Sequence, residues 1–433
     1  MDPVRLFGSV VERAARRSPV RARTLLTCAY SAVALKGRLT YPGGTIAAQD
    51  RCNGAVASMI VDGMRHPERA CVVNIFMPCE LLYALGVTPM FPEGISVYVA
   101  CTSCAEVFCE SAESSGVPES FCSYHKLMLG MESTGVLPAP AFIANTTLAC
   151  DANQVSFRSF AAHAASPHFT LDVPQEFTQQ NIDYIASQLR QLAHQLEETF
   201  HAKLDLGKLQ EICERSQRTL AKAKLFASRR ASSTLPMTLT SELCLLVCTH
   251  VLLGTQAAET YLDDLLAAQA LSPRSPAAAA GNPAPPRIFW IHTLPNWQHS
   301  MGQIFDEAQS AELVGNDMAY DVLHLADQLD PRDPFDFMAR RLVGNTSNGP
   351  AARRVEAALK MAQEAAADGA VVFGHWGCKQ TLGMAGLAEK AFDEAGVPLL
   401  VLNGDGCDPR NAADGPMVTR AQAFLESLSR ERT

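Results

Sequence analysis

Short apolar runs rich in valine and isoleucine alternate along this chain with longer stretches whose apolar positions recur at helical spacing. Residues 1–65 read as a helical lead-in broken once, at the turn formed by Pro42, Gly43 and Gly44. The run 70–76 predicts a buried strand. Residues 78–86 predict a helix, opened by Pro78 and stopped by Gly86. The apolar run 95–100 predicts a second strand, 105–114 a helix, 141–148 a third strand, and 168–173 a last strand before Pro174.

The pattern changes after residue 177. Ile182, Ile185, Leu189, Leu192 and Leu196, then Leu209, Ile212, Leu220 and Leu225, keep a helical period, so 178–270 predicts a helical subdomain. Residues 272–286 are crowded with proline and alanine and read as a linker or surface loop. Strands are then expected at 288–291, 312–315, 370–374 and 398–403, and helices at 298–309, 351–367, 381–395 and 418–428. Strands alternating with helices imply parallel sheets. The expected fold class is α/β: two parallel-sheet units, 1–177 and 287–433, with a helical subdomain and linker at 178–286 between them.

A chain of 433 residues is long enough for two or three cores, and 48% hydrophobic content is ordinary for a globular protein. The net charge of −9 offers no basic surface for nucleic acid. The longest apolar stretch, 243–253, is interrupted by Thr249 and His250 and falls short of the ~20 residues a membrane span requires. The arginine-rich opening, 1–23, has no continuous apolar core, and Asp2 and Glu12 argue for an amphipathic helix over a transit peptide. Fourteen cysteines without a secretory signal are expected in a reduced, cytosolic protein, free or bound to metal.

Three of those cysteines stand in distinctive phrases, each at an expected junction between a strand or loop and a helix. Cys122 lies in Phe121-Cys122-Ser123-Tyr124-His125-Lys126, Cys150 in Leu148-Ala149-Cys150-Asp151, and Cys378 in Gly374-His375-Trp376-Gly377-Cys378. Such junctions collect at one edge of an α/β sheet, where remote thiolates can meet. The glycines around Cys378 permit a tight turn and close approach to a bulky ligand. A following helix lowers thiol pKa and favours ligation. Three thiolates suit an iron–sulfur cluster with one iron left open. The alternative is a reduced structural cysteine at each position. His125 and Lys126 are candidates to supply protons or positive charge.

Cys101, Cys104 and Cys109 form a denser group that suits either a second metal or redox role or plain packing. Cys79 reads as a first-turn residue, and Cys213, Cys244 and Cys248 as core. Asp405 and Asp408 follow an expected strand and suit a hard cation or a solvated turn. The chain has no phosphate-binding Gly-x4-Gly-Lys loop, no His-Glu-x2-His helix, no Gly-x-Ser-x-Gly elbow and no Gly-x-Gly-x2-Gly fingerprint.

At these residues the sequence resembles the 2-hydroxyacyl-CoA dehydratase family, the group of 2-hydroxyglutaryl-CoA dehydratase component D and the benzoyl-CoA reductase subunits. The likeness is carried by the stretch from Met77-Pro78-Cys79-Glu80 to Gly86, by Cys122-Ser123-Tyr124-His125-Lys126, by Cys150-Asp151-Ala152-Asn153, and by His375-Trp376-Gly377-Cys378. Gly396-Val397-Pro398, Asp405, Thr419-Arg420, Phe424 and Glu426 complete it. The resemblance implies two Rossmann-like domains with a helical insertion. It also implies a 4Fe-4S cluster held by three cysteines, here Cys122, Cys150 and Cys378, with the fourth iron site open to water or substrate.

It further implies a cytoplasmic, oxygen-sensitive lyase that works as a homodimer or with a related subunit, receiving one electron from a separate ATP-dependent iron–sulfur activator. The substrate would be a 2-hydroxyacyl-CoA, reduced to a ketyl radical that expels its 2-hydroxyl. An open iron acts as a Lewis acid in such chemistry. Glu80 and His375 are the acid–base candidates. Glu80 reads equally as a first-turn helix carboxylate, and His375 as a hydrogen-bond donor to a cluster sulfur. The extra cysteines at 101, 104 and 109 keep open a double-cubane cluster and a reductase or electron-transfer role. A cluster-free structural or binding protein is the reading from another class.

Overall fold

A computed structural model describes residues 3–274, 284–307 and 310–431. Most of the expected linker and the end of the expected helix at 298–309 lie outside the described residues. The first sheet contains β1 (Ala70–Val73), β2 (Thr88–Met90), β3 (Phe142–Thr146) and β4 (His168–Leu171), all parallel, in the order β2-β1-β3-β4. The second contains β5 (Arg287–Ile291), β6 (Glu312–Asn316), β7 (Gly369–His375) and β8 (Leu399–Gly404), again parallel, in the order β6-β5-β7-β8. The two orders are the same: each unit places its second strand on one side of its first and its third on the other. That reversal opens a crevice at the carboxyl ends of β1 and β3, and of β5 and β7, where open α/β sheets bind ligands.

The central strands explain why the sequence read as continuous apolar runs. Every residue of β1, β3, β5 and β7 is buried, as expected of parallel strands covered on both faces. Asn74 fastens the crevice of the first sheet: its amide accepts from Thr146 N at 3.0 Å and donates to Thr146 Oγ1 at 3.2 Å.

The helical region consists of Gln179–Phe200, Leu206–Ser228, Leu239–Thr249 and Gln256–Ala270. Thr178, Asp205 and Thr238 cap the first three of these, accepting backbone amides at 3.3, 2.9 and 2.9 Å. Buried polar contacts join this region to the second unit. Arg230 donates to the Leu313 and Val314 carbonyls of β6 and meets Glu242 at 3.4 Å. His250 meets Asp321 at 3.1 Å. Among the described residues no helix is long and apolar enough to cross a membrane.

The lead-in forms three helices, Pro3–Ala15, Pro19–Leu39 and Gly44–Arg65, broken at 40–43 as the turn residues predict and a second time at 16–18, where only one break was expected. One expectation is overturned: 95–100 is not a strand but part of the helix Pro92–Cys101. A short apolar run has no decisive period. The start signals lie just upstream, with Pro92 at the first helical position and Glu93 in the first turn. The edge position in the sheet falls instead to β2, whose Pro89 suits an edge. The expected helix from 298 is reduced to a turn at His299–Gly302 that widens over Gln303–Glu307.

The helix carrying Cys122 packs very closely on its neighbour. A Cβ built on Gly130 would overlap the carbonyl of Phe108. Gly130→Ala is therefore expected to destabilise the protein by about 1–3 kcal/mol in denaturant unfolding. An unchanged midpoint would contradict this contact.

Candidate functional site

The phrases around the three cysteines fold alike. Cys122, Cys150 and Cys378 are the N-cap residues of the helices Ser123–Ser133, Asp151–Ala164 and Lys379–Glu394. Cys150 follows β3 and Cys378 follows β7, so two of them come from the crevices of different sheets. Each sulfur thus sits at the positive end of a helix, and Cys150 Sγ accepts from Asn153 N at 3.3 Å. Cys122 is buried, and Cys150 and Cys378 are half-buried. All three line one recess of about 150 Å³.

Backbone geometry holds this arrangement. Gly377, at φ 78°, lies against the chain at Phe121 and Cys122; a Cβ there would stand 2.6 Å from Cys122 N. Only glycine meets both demands. Ala149 (φ 61°) and His292 (φ 82°) also adopt the left-handed region without being glycine, and both line the recess. Such conformations cost energy and persist where surrounding structure imposes them.

Two imidazoles attend the sulfurs. His375 Nδ1 accepts from Gly406 N at 2.9 Å. In the neutral ring the proton therefore lies on Nε2, which donates to Cys122 Sγ at 3.3 Å. Burial lowers the pKa of His375, with Asp405 opposing. His125 Nε2 lies 3.5 Å from Cys150 Sγ, and its Nδ1 lies 2.9 Å from Ser156 Oγ. Burial pushes His125 down to about 3. Burial also raises the Cys122 and Cys150 thiols, and the neighbouring thiols add to the effect.

Residues that the sequence did not single out complete the recess. Glu93, in the first turn of Pro92–Cys101, lines it. Its Oε1 accepts from Ile75 N at 3.2 Å, while Oε2 has no partner among the described residues. Burial raises the Glu93 carboxyl to about 7. Asn296 Oδ1 is likewise buried and without a partner among the described residues. Arg354 donates to Asp317 Oδ2 and to Gln380 Oε1, each at 2.8 Å. Tyr124 OH lies 2.5 Å from Thr293 Oγ1. Cys244, read as core, is buried and also borders the recess. Glu93 was concealed by its place beside a run read as a strand, although Pro92 marked the helix start.

Other candidates lie elsewhere. Glu80 is buried: its Oε1 meets Arg341 at 2.6 Å and Ser216 Oγ at 2.9 Å, its Oε2 has no partner among the described residues, and it is not among the residues lining the recess. Lys126 is held by Glu113 Oε1 and the Glu119 carbonyl, each at 2.7 Å. Cys101, Cys104 and Cys109 do not line the recess either. The solvated turn expected at Asp405 and Asp408 is corrected, because both are buried. Asp405 Oδ1 accepts from Cys407 N and Asp408 N at 2.9 Å and from the Ser123 hydroxyl, tying this loop to the helix that Cys122 caps. Asp408 pairs with Arg410 at 2.7 Å. Among the described residues, no three Cys, His, Asp or Glu side chains form a group able to hold a single metal ion.

Two parallel sheets of one strand order, contributing to a single thiol-lined recess from both crevices, define a two-sheet α/β protein with this recess at the seam. The chain belongs to the family described as 2-hydroxyglutaryl-CoA dehydratase, D-component, whose model matches residues 74–428. It is 24% identical over 377 residues to the (R)-phenyllactyl-CoA dehydratase alpha subunit of Clostridium sporogenes, covering 83% of this chain and 88% of the relative. It is 24% identical over 379 residues to the (R)-2-hydroxyisocaproyl-CoA dehydratase alpha subunit of Clostridioides difficile, covering 82% and 89%. The lactoyl-CoA dehydratase subunit alpha of Anaerotignum propionicum is 22% identical over 389 residues, covering 83% and 91%.

The Glu93 carboxyl binds its proton near pH 7 in the folded chain, against 4.5 for an unperturbed group. The folded state therefore holds more protons between these values, and stability falls as pH rises through them. Comparing denaturant unfolding of the native chain with Glu93→Gln, their stability difference is expected to shift by about 1–3 kcal/mol against the native chain from pH 4.5 to 7. A difference that does not vary with pH would contradict the burial of this group.

Proposed function

We propose that this protein is a cluster-holding, substrate-binding subunit of a 2-hydroxyacyl-CoA dehydratase, a lyase that removes water from a 2-hydroxyacyl-CoA. One observation carries the reading: Cys122, Cys150 and Cys378 cap three helices around one recess. These sulfurs form a soft donor set with no carboxylate among them, which suits iron–sulfur ligation over a hard cation. A polynuclear core carries its own sulfides between its ligands, so its thiolates need not close on one ion. Cys122, Cys150 and Cys378 would hold a 4Fe-4S cluster. When bound, that cluster supplies one-electron reduction of the thioester and, at an iron without a protein ligand, a Lewis acid that helps the 2-hydroxyl leave.

The chain's own groups serve binding and proton transfer. His375 Nε2 donates toward Cys122 and His125 stands beside Cys150; such donors to ligand sulfur tune a metal site. His375 thus takes the sulfur-donor role of its two sequence readings, and Glu80 the structural one. Glu93 Oε2 is buried, without a partner among the described residues, and on the recess. A carboxyl titrating near 7 can both accept and return a proton at neutral pH. We assign Glu93 the proton transfer that accompanies loss of the C3 hydrogen and of the 2-hydroxyl. The reading includes a related partner subunit, an ATP-dependent iron–sulfur activator and a reducing cytosolic setting.

Anaerobically prepared protein is expected to carry about four irons and four sulfides per chain, as one cubane requires. Supplied with partner subunit, activator and ATP, it is expected to dehydrate a 2-hydroxyacyl-CoA. Cys378→Ser should lower the iron content and abolish turnover. Iron unchanged in Cys378→Ser would overturn the ligand assignment. About eight irons per chain would instead favour the double-cubane reductase reading.

A further inference from the structure

Away from the thiol-bearing elements, the recess takes its lining from other helices, and that lining is mostly apolar, interrupted by Asn53, Glu93, Tyr98 and Thr240. Val56 comes from Gly44–Arg65, Val97 from Pro92–Cys101, and Leu243, Leu246 and Val247 from Leu239–Thr249. Leu243 and Val247 stand one helical turn apart and are only half-buried, so they keep free surface. Among the described residues no lysine lines the recess, and the charge of the guanidinium that does, Arg354, is already paired with Asp317. Its Nε and one terminal nitrogen donate to Asp317 and Gln380 at 2.8 Å, and the other lies 3.4 Å from His292 Nδ1. A carboxylate entering this space would be desolvated without a cation to meet it. A methyl group would bury little of the apolar surface that the three helices offer.

We infer that the recess selects 2-hydroxyacyl thioesters whose side chain is uncharged, apolar and larger than methyl, and that Leu243 and Val247 set this choice. The inference rests on the dehydratase reading above and adds the substrate class to it. Discrimination follows from shape: a methylene more or less in an apolar pocket changes affinity about tenfold or more.

The test is equilibrium binding, by anaerobic calorimetry on the cluster-loaded protein with its partner subunit. The probes are four 2-hydroxyacyl-CoA thioesters bearing benzyl, isobutyl, methyl or carboxyethyl side chains. Benzyl or isobutyl is expected to bind at least about tenfold more tightly than methyl, with carboxyethyl weakest. Val247→Phe should cut the preference for the larger side chain over methyl at least about tenfold by filling the space. Should that variant fail to fold, Val247→Ala, which enlarges the space, should move the preference toward benzyl over isobutyl. Equal binding of all four thioesters, tighter binding of carboxyethyl, or preferences that the variants leave unmoved would overturn the inference and leave the dehydratase reading standing. Failure of all four to bind would overturn both.

Discussion

The arrangement of this protein turns on one close approach. The backbone at Gly377, on the loop after β7, lies against the backbone at Phe121 and Cys122, with no room for a Cβ between them. This contact joins an element of the second sheet to the helix start of the first unit. It brings the N-terminus of Lys379–Glu394 beside that of Ser123–Ser133, and Asp151–Ala164 begins on the same recess. A side chain at 377 would wedge the two units apart where the sulfurs have to share one space.

Polar contacts then fix the parts around this contact. Asp405 receives the amides of its own loop and the hydroxyl of Ser123, so the loop after β8 holds the helix that Cys122 caps. The same loop gives Gly406 N to His375, which decides the tautomer and turns Nε2–H toward the sulfur. Elsewhere Arg341 and His250 are paired in the interior with Glu80 and Asp321, on elements distant in sequence. Buried pairs of this kind add little net stability but penalise misalignment, since breaking one strands a charge.

Much of this was legible in the residues. The buried central strands read as apolar runs because both faces are covered, and the helical region kept its period because one face of each helix is not. The cysteine phrases pointed to helix starts, and all three cysteines are N-caps. What stayed hidden depends on tertiary context. Residues 95–100 carry strand-like side chains on a helix that Pro92 begins, and Glu93 was overlooked with it. Nothing local in Arg354 or Asn296 tells that either faces the recess. Glu80 stands in a strong phrase, yet its Oε1 is held by Arg341 and Ser216, partners far away in sequence, and it does not line the recess.

The central claim is that the three helix-capping sulfurs hold one inorganic core. Anomalous X-ray scattering at the iron edge, on crystals grown without oxygen, addresses it most directly. The account predicts a single iron-containing peak in contact with Cys122, Cys150 and Cys378. Iron bound instead at Cys101, Cys104 and Cys109, or a recess free of iron in protein that carries it elsewhere, would contradict the account.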